Sequence, residues 1–507
     1  MKTYYLLLLL LMPTLGLFAQ RTLQLSLEDI VALAKDDVSD ELEQRLSLSI
    51  RTPDAQIAQT QLTNSYWNYQ QFLTNYRPQI SLNATLPSFS RSIDGITQPD
   101  GGIAFQSFSN MSNSIGGALS YPIAKTGGTV FVNTSFRRID VFNSFGTSTS
   151  YFSNPISIGF NQPLFAFNNL KWDKVIQPLV YSEAKRRYDE DLEGAAVKAA
   201  NLFFNVYIAK ISLEAAKKDK ANADTLYVIS QGRFTVGKIA ETELLQIEIS
   251  KLNADGALAS ATLDLQTSTE NLRNFLGINE AITFELTPPT NIPNVVILPA
   301  KALESAKANR SKIIEFDRRL KVAERNVDRA AKDNGFSANI SGQFGLSQTN
   351  AEFSKSFYPF LDQEQVRITV QVPIMDGGRA NARKQIATSN QELVRMNVKQ
   401  ERINFDRDIL LKVKQFDLVR NQTKLALKNF EVSQKTYDLT RKRYLIGKIG
   451  VIDLNLALAD QDRSRRNYMG ALRSFWLAYY EIRRLTLYDF INDKPLNSNL
   501  EELLKQN

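Results

Sequence analysis

Between Arg379 and Arg443 the chain carries no glycine and no proline. A run of about 60 residues without either breaker reads as one helix, a rod of roughly 90 Å at 1.5 Å rise per residue. A lone globular core has no use for a helix of that length. Residues 169–231 repeat the pattern, with Pro178 and Gly194 as the sole interruptions. Leu202, Val206, Ala209, Leu213 and Ala216 step along it by four and three, the spacing of a coiled-coil seam. The chain as a whole is sparing with turn formers, with 23 Gly and 16 Pro in 507 residues. Typical usage is about 7% and 5%, and long uninterrupted elements account for the deficit.

The two rods belong to an internal duplication, which has to be found before a fold is assigned. Arg233-Phe-Thr-Val-Gly-Lys-Ile239 returns as Arg443-Tyr-Leu-Ile-Gly-Lys-Ile449, 210 positions on. Glu243-Leu244 falls on Asp453-Leu454 and Pro163-Leu164-Phe165 on Pro373-Ile374-Met375, at the same offset. Upstream, Gln79 to Leu86 matches Ser337 to Leu346 at an offset of about 258. The first half therefore holds roughly 48 extra residues, the difference between the two offsets. They include Ile115 to Ile123 and Thr129 to Phe136, which read as strands joined through Lys125-Thr-Gly-Gly128. A second helix follows each Gly-Lys-Ile break. Leu258, Ala261, Leu265, Ser268, Leu272 and Phe275 stripe the first, and Met469, Leu472, Trp476 and Tyr479 the second. Both read as packing seams.

Strands flank the helices, and their apolar residues alternate with amides and hydroxyls. Ile80, Leu82, Ala84 and Leu86 alternate with Gln79, Ser81, Asn83 and Thr85. Ile156, Ile158 and Phe160, then Ala338, Ile340 and Phe344, then Val366, Ile368, Val370 and Val372 do the same. A soluble sandwich alternates in this way. So does a membrane barrel with lipid outside and water inside. Tyr76, Tyr151, Phe152, Phe165, Phe167, Trp172, Phe357, Tyr358 and Phe360 are candidates for aromatic girdles.

The N-terminus tips the balance towards export. Lys2 precedes an almost unbroken Leu run from Tyr4 to Met12, and Leu17-Phe18-Ala19 ends in a small residue suited to cleavage. Residues 1–19 read as a secretory signal peptide, with an apolar run too short to span a bilayer. No later segment offers about 18 consecutive apolar residues, so membrane residence requires a β-barrel. The chain has no Cys and no His. That removes disulfides, thiol nucleophiles and the commonest general base and metal ligand, and no catalytic, metal or cofactor site is expected. A net charge of +8 comes from scattered Lys and Arg without a basic block, which gives no nucleic-acid signal. Gly232 to Lys238 mimics a phosphate-binding loop, but Ile239 stands where Mg²⁺ needs Ser or Thr.

In this order of elements the chain resembles the TolC-type outer-membrane efflux protein family. Each half reads helix, strands, Pro-Leu/Ile-Phe/Met, long helix, Arg-Phe/Tyr-x-x-Gly-Lys, helix. Val372-Pro373-Ile374-Met375-Asp376-Gly377-Gly378-Arg379 is similar to the family's strand-to-helix signature, and its counterpart Gln162 to Asn169 lacks the Gly pair. The resemblance implies a mixed α and β membrane protein. A homotrimer would close a transmembrane β-barrel from four to six strands per protomer, continuous with a periplasmic α-helical coiled-coil barrel. Six strands, if the inserted pair joins the sheet, would make an 18-stranded barrel. The alternative is an extracellular hairpin over 12 strands. Strand lengths near 9–11 residues are expected. The organisation is then a signal peptide at 1–19, a first repeat at 20–290, a second at 291–490 and a tail at 491–507.

The resemblance also implies which residues act. The helical tips that dock a periplasmic adaptor are Arg233, Val236, Gly237, Lys238 and Ile239, with Arg443, Ile446, Gly447, Lys448 and Ile449. The periplasmic gate is Asp453 with its first-half equivalent Glu243, and the family's second gate acid is replaced by Leu456. Asp460 and Asp462 read as surface charges paired with Arg463 or Arg466. Pro163, Pro373, Gly377 and Gly378 mark the strand-to-helix junctions. The expected function is a passive export duct for small toxic compounds or secreted proteins, including type I secretion. Its partners are the adaptor, an inner-membrane pump of RND, ABC or MFS type, and outer-membrane lipid. A periplasmic structural coiled-coil protein without channel activity is the alternative, and an exported Ser–Lys hydrolase finds no completed site.

Overall fold

The computed structural model describes residues 22–36, 52–143, 146–278, 283–289, 292–446, 448–449 and 451–496. The signal segment 1–19, Gly447 and residues 497–507 of the tail lie outside the described residues. The duplication is written in the element boundaries. Helices α3 (Asn169–Thr235) and α4 (Glu241–Leu276) have 67 and 36 residues. Helices α7 (Arg379–Leu445) and α8 (Val451–Thr486) have the same two lengths, and all four boundaries recur 210 positions on. Helices α2 (Pro53–Thr74) and α6 (Ser311–Lys332) are both 22 residues long and start 258 positions apart. The change of offset falls where two extra strands stand.

The strands form one antiparallel sheet of order β2-β3-β4-β5-β7-β8. They are β2 (Gln79–Thr97), β3 (Ile103–Ile123), β4 (Gly128–Asn143), β5 (Gly146–Leu164), β7 (Ser337–Asn350) and β8 (Leu361–Gln371). The inserted pair β3 and β4 sits inside this sheet, in unbroken register with each other (Leu119 opposite Val132) and with one bulge against each neighbour, at Thr85/Ser88 with β2 and at Asn133/Ser135 with β5. The inserted strands are longer than the 9–11 residues expected, with 21 in β3 and 16 in β4, whereas β8 has 11. Apolar alternation marked only part of each strand. Beyond it, Ser- and Asn-rich hairpin arms keep pairing, and Ser90 opposite Asn110 adds a side-chain bond in which the Ser90 hydroxyl donates to the Asn110 amide oxygen at 2.9 Å.

The chain divides into two compact units, and each draws on both sequence halves. The sheet unit comprises 63–184 and 311–403. The helical unit comprises 1–62, 185–310 and 404–507 among the described residues. In the helical unit, β1 (Thr22–Ser26) pairs in parallel with β6 (Thr283–Thr287), so one strand from before the first rod meets one from between the repeats. Ser26 and Asp29 then form a reciprocal capping box that starts α1 (Leu27–Lys35). Much of the predicted seams packs as expected: Val206, Leu272, Phe275, Leu472, Trp476 and Tyr479 are buried in one core with Phe203 and Phe416.

One carboxylate ties this unit's chain segments together. Glu193 on α3 is 1% exposed. Its Oε1 accepts from Lys35 at 2.7 Å and from Arg483 of α8 at 3.1 Å. Arg483 also lies 3.4 Å from Asp489. Burial pushes the Asp489 carboxyl up, but the Tyr479 hydroxyl, the Asn492 amide and Arg483 outweigh it and hold the group below the usual range. Removing one partner of a buried ion cluster leaves the others uncompensated. Glu193→Ala is expected to cost about 3–5 kcal/mol in denaturant unfolding. Glu431→Ala, which breaks an exposed helix pair with Lys428, should cost about 1 kcal/mol or less. Equal losses for both would deny Glu193 its role.

Candidate functional site: helical tips, gate and strand-to-helix junctions

The first tip is built by a glycine. α3 ends at Thr235, and Gly237 takes φ +69, the left-handed conformation that L side chains resist. The Lys238 N–H donates to the Arg233 carbonyl at 2.8 Å, and the Gly237 N–H to the Phe234 carbonyl at 2.8 Å. This pair of bonds is the Schellman closure of a helix C-terminus. Nothing approaches within 4 Å of where a Gly237 Cβ would stand, so backbone conformation alone demands glycine.

The second tip copies the first. The Lys448 N–H donates to the Arg443 carbonyl at 3.0 Å, five residues back as before. Gly447 itself lies outside the described residues. Val236 and Ile446 are exposed, while Ile239 and Ile449 are half-buried. The side chains of Arg233, Lys238, Arg443 and Lys448 make no ion pair among the described residues, so both tips present free positive charge around an apolar residue.

Asp453 stands in the first turn of α8 and is exposed. Leu456, one turn on, is exposed on the same side of the helix. Glu243 lies in the equivalent first turn of α4, and its side chain is outside the described residues. Asp460 pairs with Arg463 at 3.7 Å on the exposed surface.

The two strand-to-helix junctions use different chemistry for one task. In the second half Gly377 and Gly378 take φ +63 and +86 after Pro373. Asp376 caps α7, its Oδ1 accepting from the Gly378 N–H at 2.9 Å and its Oδ2 from the Ala380 N–H at 2.7 Å. Those backbone donors hold its carboxyl below the usual range. In the first half Pro163 ends β5 opposite Asn339, and Phe165 carries the positive φ, +63. Asn168 then caps α3, accepting from the Lys171 N–H at 3.0 Å. Its amide donates to the Ala124 carbonyl at 2.9 Å, in the turn between the inserted strands. The missing Gly pair is thus a substitution by an asparagine that also anchors the insertion. Sequence reasoning assigned no role to Asp376 or Asn168. An Asx residue just before a long Gly-free run is the signal that would have found both.

Aromatic residues gather at both ends of the sheet. At the helix end, the Tyr76 hydroxyl donates to the Leu170 carbonyl at 2.9 Å, the Trp172 indole to Asp328 at 2.8 Å, and Phe165 meets Phe336 at 5.4 Å. At the loop end, Phe136 stacks on Tyr151 and Phe357, with Phe353 edge-on. Among the described residues no group of three or more acidic side chains could hold a metal ion.

The profile described as outer membrane efflux protein matches residues 48–278 and 302–486, the two repeats. The chain belongs to the outer membrane efflux protein family. Solved structures with the same fold include the Campylobacter jejuni CmeC outer membrane channel, with a TM-score of 0.64 at 14% identity. That likeness covers 95% of this chain and 88% of CmeC. The open state of the Neisseria gonorrhoeae MtrE outer membrane channel gives 0.59 at 14% identity, covering 93% and 91%. The Vibrio cholerae outer membrane protein VceC gives 0.59 at 11%, covering 93% and 96%. At such identities the likeness is one of fold. No curated protein matches the sequence.

Within this efflux protein, the Asp376 cap sets a pH dependence. Its folded pKa is lowered, so its contribution is present above the ordinary carboxylate value of about 3.9 and lost as pH falls through the folded value. Hydrogen-exchange protection of the Ala380 amide, corrected for intrinsic rate, should be flat from about pH 5 to 8 and fall below about pH 4. Asp376→Ala should lose that protection at every pH. Protection independent of both changes would remove the cap.

Proposed function

We propose that this efflux protein is one protomer of a homotrimeric channel in the outer membrane of a Gram-negative bacterium, exported by the cleaved signal at 1–19. The observation that carries the proposal is the outward face of the sheet. Ile80, Leu119, Val132, Ile158 and Phe344 lie opposite one another across five strands, and Val366 and Ile368 continue the face on β8. Ile80 is 84% exposed, Val366 77% and Ile368 64%, and nothing among the described residues covers them. A water-facing sheet does not display such a face, whereas a lipid-facing one requires it. Among the described residues no helix is long and apolar enough to cross a membrane. The 14 residues of β7, at about 3.3 Å each and tilted by about 40°, rise about 35 Å between the two aromatic clusters. A bilayer core with its interfaces fits that height.

Closure supports three copies. β2 and β8 each pair on one side only. Three copies joined edge to edge would make 18 strands. In the helical unit Leu411, Leu418, Leu425, Val432 and Leu439 recur every seventh residue along α7, all exposed, and Ile446 just past its end keeps the step. Leu245, Ile249, Leu252 and Leu263 are exposed on α4 at steps of four, three and eleven. Seven-residue apolar stripes call for a partner helix, and a neighbouring copy supplies it. The duct conducts passively and needs no catalytic group. Small toxic compounds or secreted proteins reach it from an inner-membrane pump through a periplasmic adaptor. The adaptor meets the charged tips around Gly237 and Gly447, and Asp453 narrows the periplasmic end for cations.

Planar-bilayer conductance with native mass spectrometry tests this. Discrete channels from a three-copy particle are expected, and a non-conducting monomer would end the proposal. The chain has no Cys, so single-cysteine labelling is unambiguous. Leu119→Cys and Val132→Cys should react with a lipid-phase reagent and Ala118→Cys with a water-soluble one. The reverse pattern would turn the sheet inside out. Asp453→Ala should weaken block by multivalent cations several-fold. Unchanged block would take Asp453 out of the gate.

A further inference from the structure

We infer that the barrel lumen is an anion-preferring segment, set by Arg137 and Arg367. The inference rests on the channel reading above. Strand pairing fixes which residues share a face. Arg367 of β8 lies opposite Ser341, Ser341 opposite Asn161, and Asn161 opposite Thr129. Arg137 of β4 lies between Ser114 and Phe152. Both arginines are on the face opposite to Ile158 and Val366, hence inward.

That face is nearly empty of negative charge. Within the strands most of its residues are amides, hydroxyls and small side chains such as Asn83, Asn133, Asn339 and Gln343, with Phe108, Phe131 and Phe152 among them. Its one carboxylate is Asp94, close to the tip of the β2–β3 hairpin. The other acids of the strands fall on the outward face: Asp140 opposite Met111, Asp362 opposite Leu346 and Glu364 opposite Phe344. Arg137 and Arg367 are exposed and make no ion pair or side-chain hydrogen bond among the described residues. Arg138, on the outward face, is by contrast held by Asp140 at 2.9 Å. An unpaired guanidinium facing lipid is disfavoured by about 2–4 kcal/mol at mid-depth, which favours water on the side of the two arginines, although Arg91, Asp362 and Glu364 also stand without an ion pair among the described residues, on the outward face.

Three copies bring six permanent positive charges to the lumen, because arginine does not deprotonate. Eighteen tilted strands enclose a backbone radius of about 18 Å, and an arginine reaches about 6 Å inward. The Debye length is about 8 Å at physiological salt and about 30 Å at 0.01 M. At low salt the potential of the six charges therefore spans the bore. Anionic solutes are concentrated there and cations depleted. The chemical class favoured in the last part of the passage is the organic anion.

Reversal potentials in planar bilayers test this, with a tenfold KCl gradient starting near 10 mM. The chloride-to-potassium permeability ratio should fall at least about twofold in the Arg137→Gln/Arg367→Gln variant. The corresponding double Lys variant should keep the original ratio. The difference should vanish near 1 M, where the Debye length is about 3 Å. If the double Gln variant does not insert, each single Gln variant should show the same shift at smaller amplitude. An unchanged ratio at low salt, with normal single-channel conductance, overturns the inference and leaves the channel standing. Absence of conductance in the unaltered protein overturns the channel reading itself.

Discussion

A peptide group without a hydrogen-bond partner costs several kcal/mol in hydrocarbon. β2 and β8 each leave one whole side of the backbone unpaired. The rest of the molecule can be understood as serving that constraint. The two edges differ in sequence, so the partner that satisfies both at once is a rotated copy offering β8 to β2. In the helical unit, apolar stripes on α4 and α7 stay uncovered among the described residues and likewise call for a partner helix. In this arrangement the sheet and the rods do not compete for different oligomers. Each would be incomplete as a monomer for its own physical reason, one for hydrogen bonds and the other for apolar area.

The coarse plan was legible in the sequence because its signals are long. Gly- and Pro-free runs gave both rods, and the offsets of 210 and 258 reappear in helix boundaries. Alternation located every strand of the sheet but not its ends. Pairing outlasts the stretch of unbroken phase: after the bulge between Thr85 and Ser88, Ser88, Ser90 and Ser92 alternate with Phe89 and Ile93 in the opposite phase. The tips were legible as turns because left-handed backbone selects glycine at Gly237. The junction caps were read only as part of a signature, since Asp376 and Asn168 act through a few local hydrogen bonds and their one mark is an Asx residue before each long run. Glu193 was hidden for another reason: its partners, Lys35 and Arg483, stand 158 and 290 residues away.

The inserted strands show how a duplicated chain diverges without losing its frame. The helices kept equal lengths in both halves, while the sheet took four strands from the first half and two from the second. The cost of an insertion at a strand-to-helix junction is a turn that needs holding. Asn168 meets it by doing two things at once, capping α3 and binding the β3–β4 turn. A glycine there, as in the second half, would satisfy the backbone but leave the new turn unanchored.

The arginines of the inward face acquire a further meaning from a residue type the chain lacks. Histidine is the side chain whose charge ordinarily changes between about pH 5 and 8, and there is none. Arginine keeps its proton throughout that range. The charge lining this sheet is therefore the same in an acidified surrounding as in a neutral one. A cell carrying such a duct would have an outlet whose electrical character external acidity cannot rewrite.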